Sequence, residues 1–140
     1  MLRSVLSVVI GVIVGAVLIL LVELIGHWLF PPPFGLDPTK PGALGSVPMQ
    51  AKVAVLIAWF VGAFGGGVAA SLIAKRWAPA AWVVAATILL LAGASMMQFA
   101  HPIWMMAGAI LSTGLGGYIA VKATSGYYGR PATHTPTLGL

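Results

Sequence analysis

The chain has 140 residues, 60% of them hydrophobic and 6% charged, with a mean hydropathy of +1.05. Water-soluble domains carry about 25% charged residues, so this composition excludes a soluble globule and makes lipid the solvent. The formal net charge of +5 rests on basic residues that stand singly or as one pair at the ends of apolar runs. This is the pattern of topology signals and not of a phosphate-binding stripe, so nucleic acid is excluded as a partner.

The first apolar run, residues 5–30, follows Arg3. It is longer than the apolar core of a secretory signal and lacks a small-x-small cleavage site, so it reads as a retained first span. The stretch at 31–50 contains Pro31-Pro32-Pro33, Pro38, Pro41 and Pro48 and cannot continue a helix, because proline has no amide donor and restricts the residue before it. It forms the one sizeable loop. A second span covers 53–74 and ends at Lys75-Arg76; Ala78-Pro79 then makes a tight turn into a third span at 80–99. His101-Pro102 breaks that span and opens a fourth at 102–121, with His101 in the N-cap place. The expected architecture is all-α, a polytopic four-transmembrane-helix bundle over residues 1–123. Residues 124–140, with Gly126, Gly129, Pro131 and Pro136, read as a disordered cytoplasmic tail.

Orientation follows from the cations. Arg3, Lys75, Arg76, Lys122 and Arg130 fall on one side of four spans, and Lys40 and Lys52 on the other, which places both termini inside. Trp28, Phe30, Phe34, Phe99 and Trp104 mark the outer interface, whereas Trp77, Trp82, Tyr127 and Tyr128 mark the inner one. Trp59 lies deeper and is expected between helices.

Lipid tails are as apolar as leucine, so helices associate in a bilayer through close backbone approach and polar contacts. Ala54, Ala58, Gly62, Gly66, Ala70 and Ala74 recur every fourth residue in the second span, giving a narrow ridge of small side chains along one helix face. Gly11 and Gly15 repeat the device in the first span, and Gly108, Ser112 and Gly116 in the fourth. Packing within one chain accounts for such ridges. A second expectation is that one of the three faces another subunit.

Glu23 is the most informative position, because an intramembrane carboxylate is costly unless paired, hydrated or protonated. His27 follows four residues later on the same face. Gln98 and His101 lie in the connection between the third and fourth spans, on the same side as Asp37, so Glu23, His27, Gln98, His101 and Asp37 form a candidate proton or cation site. A divalent metal such as zinc would draw on Glu23, His27 and His101. Apart from Met1, the methionines also fall toward the outer half, and Met96, Met97, Met105 and Met106 around His101 offer thioethers to copper. The plain reading is that Glu23 and His27 satisfy one another and the methionines fill gaps. No cysteine is present, and no glycine loop for phosphate or serine–histidine–acid set stands out. An enzyme is not expected; the exception would be an intramembrane metal-dependent hydrolase built on Glu23, His27 and His101.

The run Glu23-Leu24-Ile25-Gly26 is locally similar to the first span of the small multidrug-resistance exporters. That likeness implies a carboxylate that exchanges protons and cations. The longer pattern resembles a group of small bacterial four-span inner-membrane proteins without an assigned activity. It comprises Glu23-Leu24-Ile25-Gly26-His27, then Pro31-Pro32-Pro33-Phe34-Gly35-Leu36-Asp37, and His101-Pro102-Ile103-Trp104 at the fourth span. The resemblance implies a multi-pass protein of the bacterial inner membrane. The leading expectation is a protein that self-associates or serves as an accessory subunit of a membrane complex. The alternative is a transporter or channel for protons, metal ions or small cations using Glu23 and His27.

Overall fold

The computed structural model describes residues 2–75, 79–99 and 101–127. Arg76, Trp77, Ala78, Tyr128 and Arg130, which contributed to the orientation and turn arguments, lie outside the described residues, as does the tail from 128 onward.

The fold is all-α. Helix α1 spans Leu2–Leu29, α2 Met49–Ala74, α3 Ala80–Gln98 and α4 Ile103–Thr124, and all four are long and apolar enough to cross a membrane. At 1.5 Å per residue, α1 is about 42 Å long, against a hydrocarbon layer of about 30 Å. It also begins earlier than the apolar run suggests. Its first turn is held by Arg3, whose Nε donates to the Ile73 carbonyl (2.9 Å) at the end of α2, supplying a donor to one of the carbonyls that a helix terminus leaves open. Helix α2 starts at Met49 because Pro48 fits the N-cap position. Toward the end of α4 the chain stays helical through Thr124 and closes in a 3-10 turn, Ser125–Tyr127, where the sequence suggested a tail. A second 3-10 turn, Ala43–Ser46, lies in the long connection after Gly42, whose φ of 78° is one that glycine adopts without strain.

Helix α2 is the hub. It packs against α1, α3 and α4, while α3 also touches α1 and α4; α1 and α4 share no substantial contact. Of the span windows, 39% of α2 is buried and only 17% of α1, so α1 is the peripheral helix. The described cations divide as expected: Arg3, Lys75 and Lys122 at one end of the bundle, Lys40 and Lys52 at the end carrying the long connection, hereafter the loop end. Trp59 is 5% exposed and packs with Ala92 and Ala109. At the opposite end, the Lys122 ammonium lies 5.7 Å from the centre of the Tyr118 ring, a cation–π contact.

The core is rich in alanine and glycine, with Val84, Ile88, Met105 and Trp59 as its large buried side chains. Ala58, Ala63, Ala70, Ala80, Ala81 and Ala120 are fully buried, whereas Leu20, Leu24, Leu90 and Leu111 are more than half exposed. This inverts the order of a soluble protein, because in lipid a large apolar side chain gains nothing by turning inward and a small one lets backbones meet. A Cβ built on Gly15 would stand 2.8 Å from the Gly62 carbonyl oxygen, and one on Gly66 would collide with the Gly11 carbonyl. On the other flank, a Cβ on Gly116 would lie 2.7 Å from the Phe60 oxygen and one on Gly108 2.7 Å from Leu56. The α2 ridge thus meets α1 at Gly62 and Gly66, and the α4 ridge meets α2 at Gly108 and Gly116, while Gly108 and Ser112 also line an open apolar groove between α2 and α4. Two buried threonine hydroxyls bond within their own helix, Thr113 Oγ1 donating to the Ala109 carbonyl (2.6 Å) and Thr124 Oγ1 to that of Ala120 (2.8 Å), whereas the buried Ser71 hydroxyl has no hydrogen-bond partner among the described residues.

Two glycine substitutions on the same helix should separate. Gly116→Ala pushes a methyl group against backbone and should cost about 1–3 kcal/mol, whereas a Cβ on Gly114 meets nothing within 4 Å and Gly114→Ala should be neutral or stabilising by about 0.5–1 kcal/mol. Unfolding in mixed micelles measures both.

Candidate functional site

Glu23 and His27 lie one turn apart near the loop end of α1. Gly15 meets Gly62 near the middle of α2, and Glu23 is eight residues further on, about 12 Å along the axis. A hydrocarbon layer of about 15 Å half-thickness centred on that contact would take in the carboxylate and leave His27 at the headgroup level. Glu23 is half-buried and His27 exposed. The expected carboxylate–imidazole hydrogen bond is replaced by a different one: His27 Nδ1 lies 2.8 Å from the backbone oxygen of Glu23. Among the described residues no donor reaches the Glu23 carboxylate. The two side chains share a face and an electrostatic neighbourhood, yet the bundle completes neither of them.

His101 belongs to a different part of the molecule. It does not cap α4, whose N-cap is Pro102 without a side-chain cap bond. Its Nδ1 instead lies 2.9 Å from the Phe99 carbonyl oxygen, and its ring stands edge-on to Phe99 at 6.3 Å between centroids. Half-buried, it lines a crevice of about 70 Å³ with Leu44, Val47, Ala51, Lys52, Val55 and Met105. The 3-10 turn in the connection therefore supplies one wall, α2 a second and α4 a third.

Among the described residues, no three of His, Asp and Glu come together so as to hold a metal ion, so His101 does not join Glu23 and His27. Gln98 is exposed at the end of α3. The methionines also divide: Met105 is 1% exposed, Met96 half-buried, Met97 91% exposed and Met106 51% exposed. An apolar helix offers no pattern from which such rotation can be read. What sequence reasoning missed is the pairing of Leu44 and Val47 with His101 and Met105. Its only signal was two apolar residues just after Gly42 in an otherwise proline-rich stretch.

Asp37 is exposed in the connection and engaged locally. Its Oδ1 accepts from the Thr39 hydroxyl (2.6 Å) and from the Thr39 backbone N–H (3.0 Å). These bonds, the hydroxyl first, hold its carboxyl below the usual carboxylate range. A lowered folded-state value means that the contribution of this turn is present above the ordinary carboxylate pKa and is lost as pH falls through the lowered one. Thr39→Val removes the hydroxyl bond and should move the Asp37 titration back up toward its ordinary value, as read by carboxyl-carbon NMR in micelles.

No family model matches the chain, and neither the curated proteins nor the solved structures include one significantly similar to it.

Proposed function

We propose that the chain is a multi-pass protein of a bacterial inner membrane, with the Arg3 end of the bundle cytoplasmic, that acts by assembly. Through the open face of α1 it pairs with further copies or joins a larger membrane complex as an accessory subunit. The observation that carries this reading is the state of Glu23 and His27: a carboxylate inside the apolar layer that no described donor reaches, beside an exposed imidazole, on the least buried of the four helices. A carboxylate at that depth is costly unless it is paired, hydrated or protonated; on this reading a group from a neighbouring subunit pairs with it, and interhelical polar contacts of this type contribute about 0.6–2 kcal/mol in bilayers. The bacterial setting and the topology accord with the cation distribution and with the resemblance carried by the Glu23–His27, proline-rich and His101–Trp104 segments. A second reading, a carrier of protons or small cations, is favoured by the same open carboxylate.

Glu23→Gln with His27→Ala tests both. In native membranes extracted with mild detergent, assembly predicts that the double variant shifts from a complex to a smaller species on native gels and loses cross-links formed from α1. Retention of the complex would refute assembly through this pair. Loss of pH-dependent cation flux in proteoliposomes with the complex intact would select the carrier.

A further inference from the structure

Glu23 and His27 belong to a seam along α1. Ile13, Ala16, Leu20, Glu23 and His27 follow one another at alternating intervals of three and four residues, the spacing that keeps side chains in register where two helices cross at a small left-handed angle. Contacts of the same helix with α2 come from other positions, Gly11, Gly15 and Gly26. The seam therefore stays largely open: Ile13 is 57% and Leu20 65% exposed, His27 is exposed, and Ala16 and Glu23 are half-buried. The remaining open surface of α1, at Val17, Leu21, Ile25 and Trp28, is apolar, and lipid serves it as well as a partner would. What sets the seam apart is a carboxyl and an imidazole one turn from each other, together with Ala16, whose short side chain lets a second backbone come close.

The pair is complementary to itself. His27 Nδ1 lies 2.8 Å from the Glu23 backbone oxygen, while the Glu23 carboxyl has no donor among the described residues. A ring nitrogen that faces a carbonyl carries the proton, so Nε2 is left to bond elsewhere. Copies inserted in the same orientation present α1 parallel to α1, and under two-fold symmetry residue i of one copy meets residue j of the other while j meets i. In a seam of this spacing each side chain enters a hole formed by four residues of the facing helix. For Glu23 that hole includes His27 of the partner subunit.

We propose that α1 is the interface of a parallel two-fold dimer of this chain, in which the Glu23 carboxyl of each copy shares a hydrogen bond with Nε2 of the partner subunit's His27, twice across the axis. Each site is incomplete without the second copy. Whether the shared proton rests on the carboxyl and is donated to Nε2, or rests on Nε2 and is donated to the carboxylate, one hydrogen bond forms and the pair is neutral as a whole. The cost of an open charge in the apolar layer is thereby removed. This inference rests on assembly through α1 and names the partner as the chain itself.

The chain has no cysteine, so single cysteines placed on α1 report the interface of the purified full chain in liposomes. Oxidation should join Ile13→Cys or Leu20→Cys copies into disulfide dimers, while Leu21→Cys and Ile25→Cys, at comparably exposed positions, should stay single. Energy transfer between labelled copies, followed as lipid is added, gives the dimer dissociation constant. Glu23→Ala and His27→Ala should each raise it about tenfold or more, because both contacts across the axis are lost, with helical circular dichroism unchanged. Mixing these two variants separates an interface from damage to the fold. The mixed dimer keeps one intact Glu23–His27 contact and should form more tightly than either variant alone, a recovery that a defect within each chain would not give. A monomeric wild type, cross-linking as strong at Leu21 and Ile25 as on the seam, or a mixture no tighter than its components would overturn the dimer. A purified wild type that stays monomeric while Glu23→Gln/His27→Ala still loses its native-membrane complex overturns the dimer and leaves assembly with another protein standing; a native complex indifferent to that double variant overturns both.

Discussion

The structure depends on backbone meeting backbone between α1 and α2. Gly11, Gly15, Gly62 and Gly66 stand where any side chain would strike the opposing carbonyl or helix, and this approach holds the peripheral first helix on the hub. Since the surrounding lipid competes on equal terms for every leucine and valine, hydrophobic burial cannot do that work. Dispersion between closely fitted surfaces does, aided by the Arg3 bond to the Ile73 carbonyl. The same logic repeats on the far flank, where Gly108 and Gly116 admit Leu56 and the Phe60 carbonyl. At the loop end, Glu23 and His27 on α1 and His101 in the connection before α4 do not come together.

That separation decides the chemistry. Placed together, Glu23, His27 and His101 would have made a mixed nitrogen and oxygen ligand set for a borderline divalent ion. Placed apart, each keeps only local neighbours. Glu23 is half-buried and His27 exposed on α1, while His101 and Met105 line a crevice beneath the connection.

The sequence made the spans legible for a simple reason: about 20 apolar residues are needed to cross the hydrocarbon, and prolines at 31–33, 48, 79 and 102 mark the breaks. The four-residue recurrence of small side chains in α2 announced a packing face, though not which helix would meet it. Beyond that, legibility fails where all faces of a helix are apolar. Met105 and Met106 are adjacent in sequence, yet one is enclosed and the other open; nothing in their flanking residues distinguishes them. The i, i+4 spacing of Glu23 and His27 correctly put them on one face, but not the choice His27 makes of a backbone oxygen over a carboxylate. Whether the connection between the third and fourth spans brings His101 beside Glu23 and His27 is something a spacing argument cannot supply, and among the described residues the three do not come together.

The position of α2 has a bearing on biogenesis. Its principal partner, α1, is the span immediately before it, so the glycine seam joins two consecutive segments and can close while the rest of the protein is still being synthesised. The later pair, α3 and α4, then docks on a surface already in place. A chain organised in this way acquires its final neighbours in the order of translation, without having to exchange early contacts for late ones.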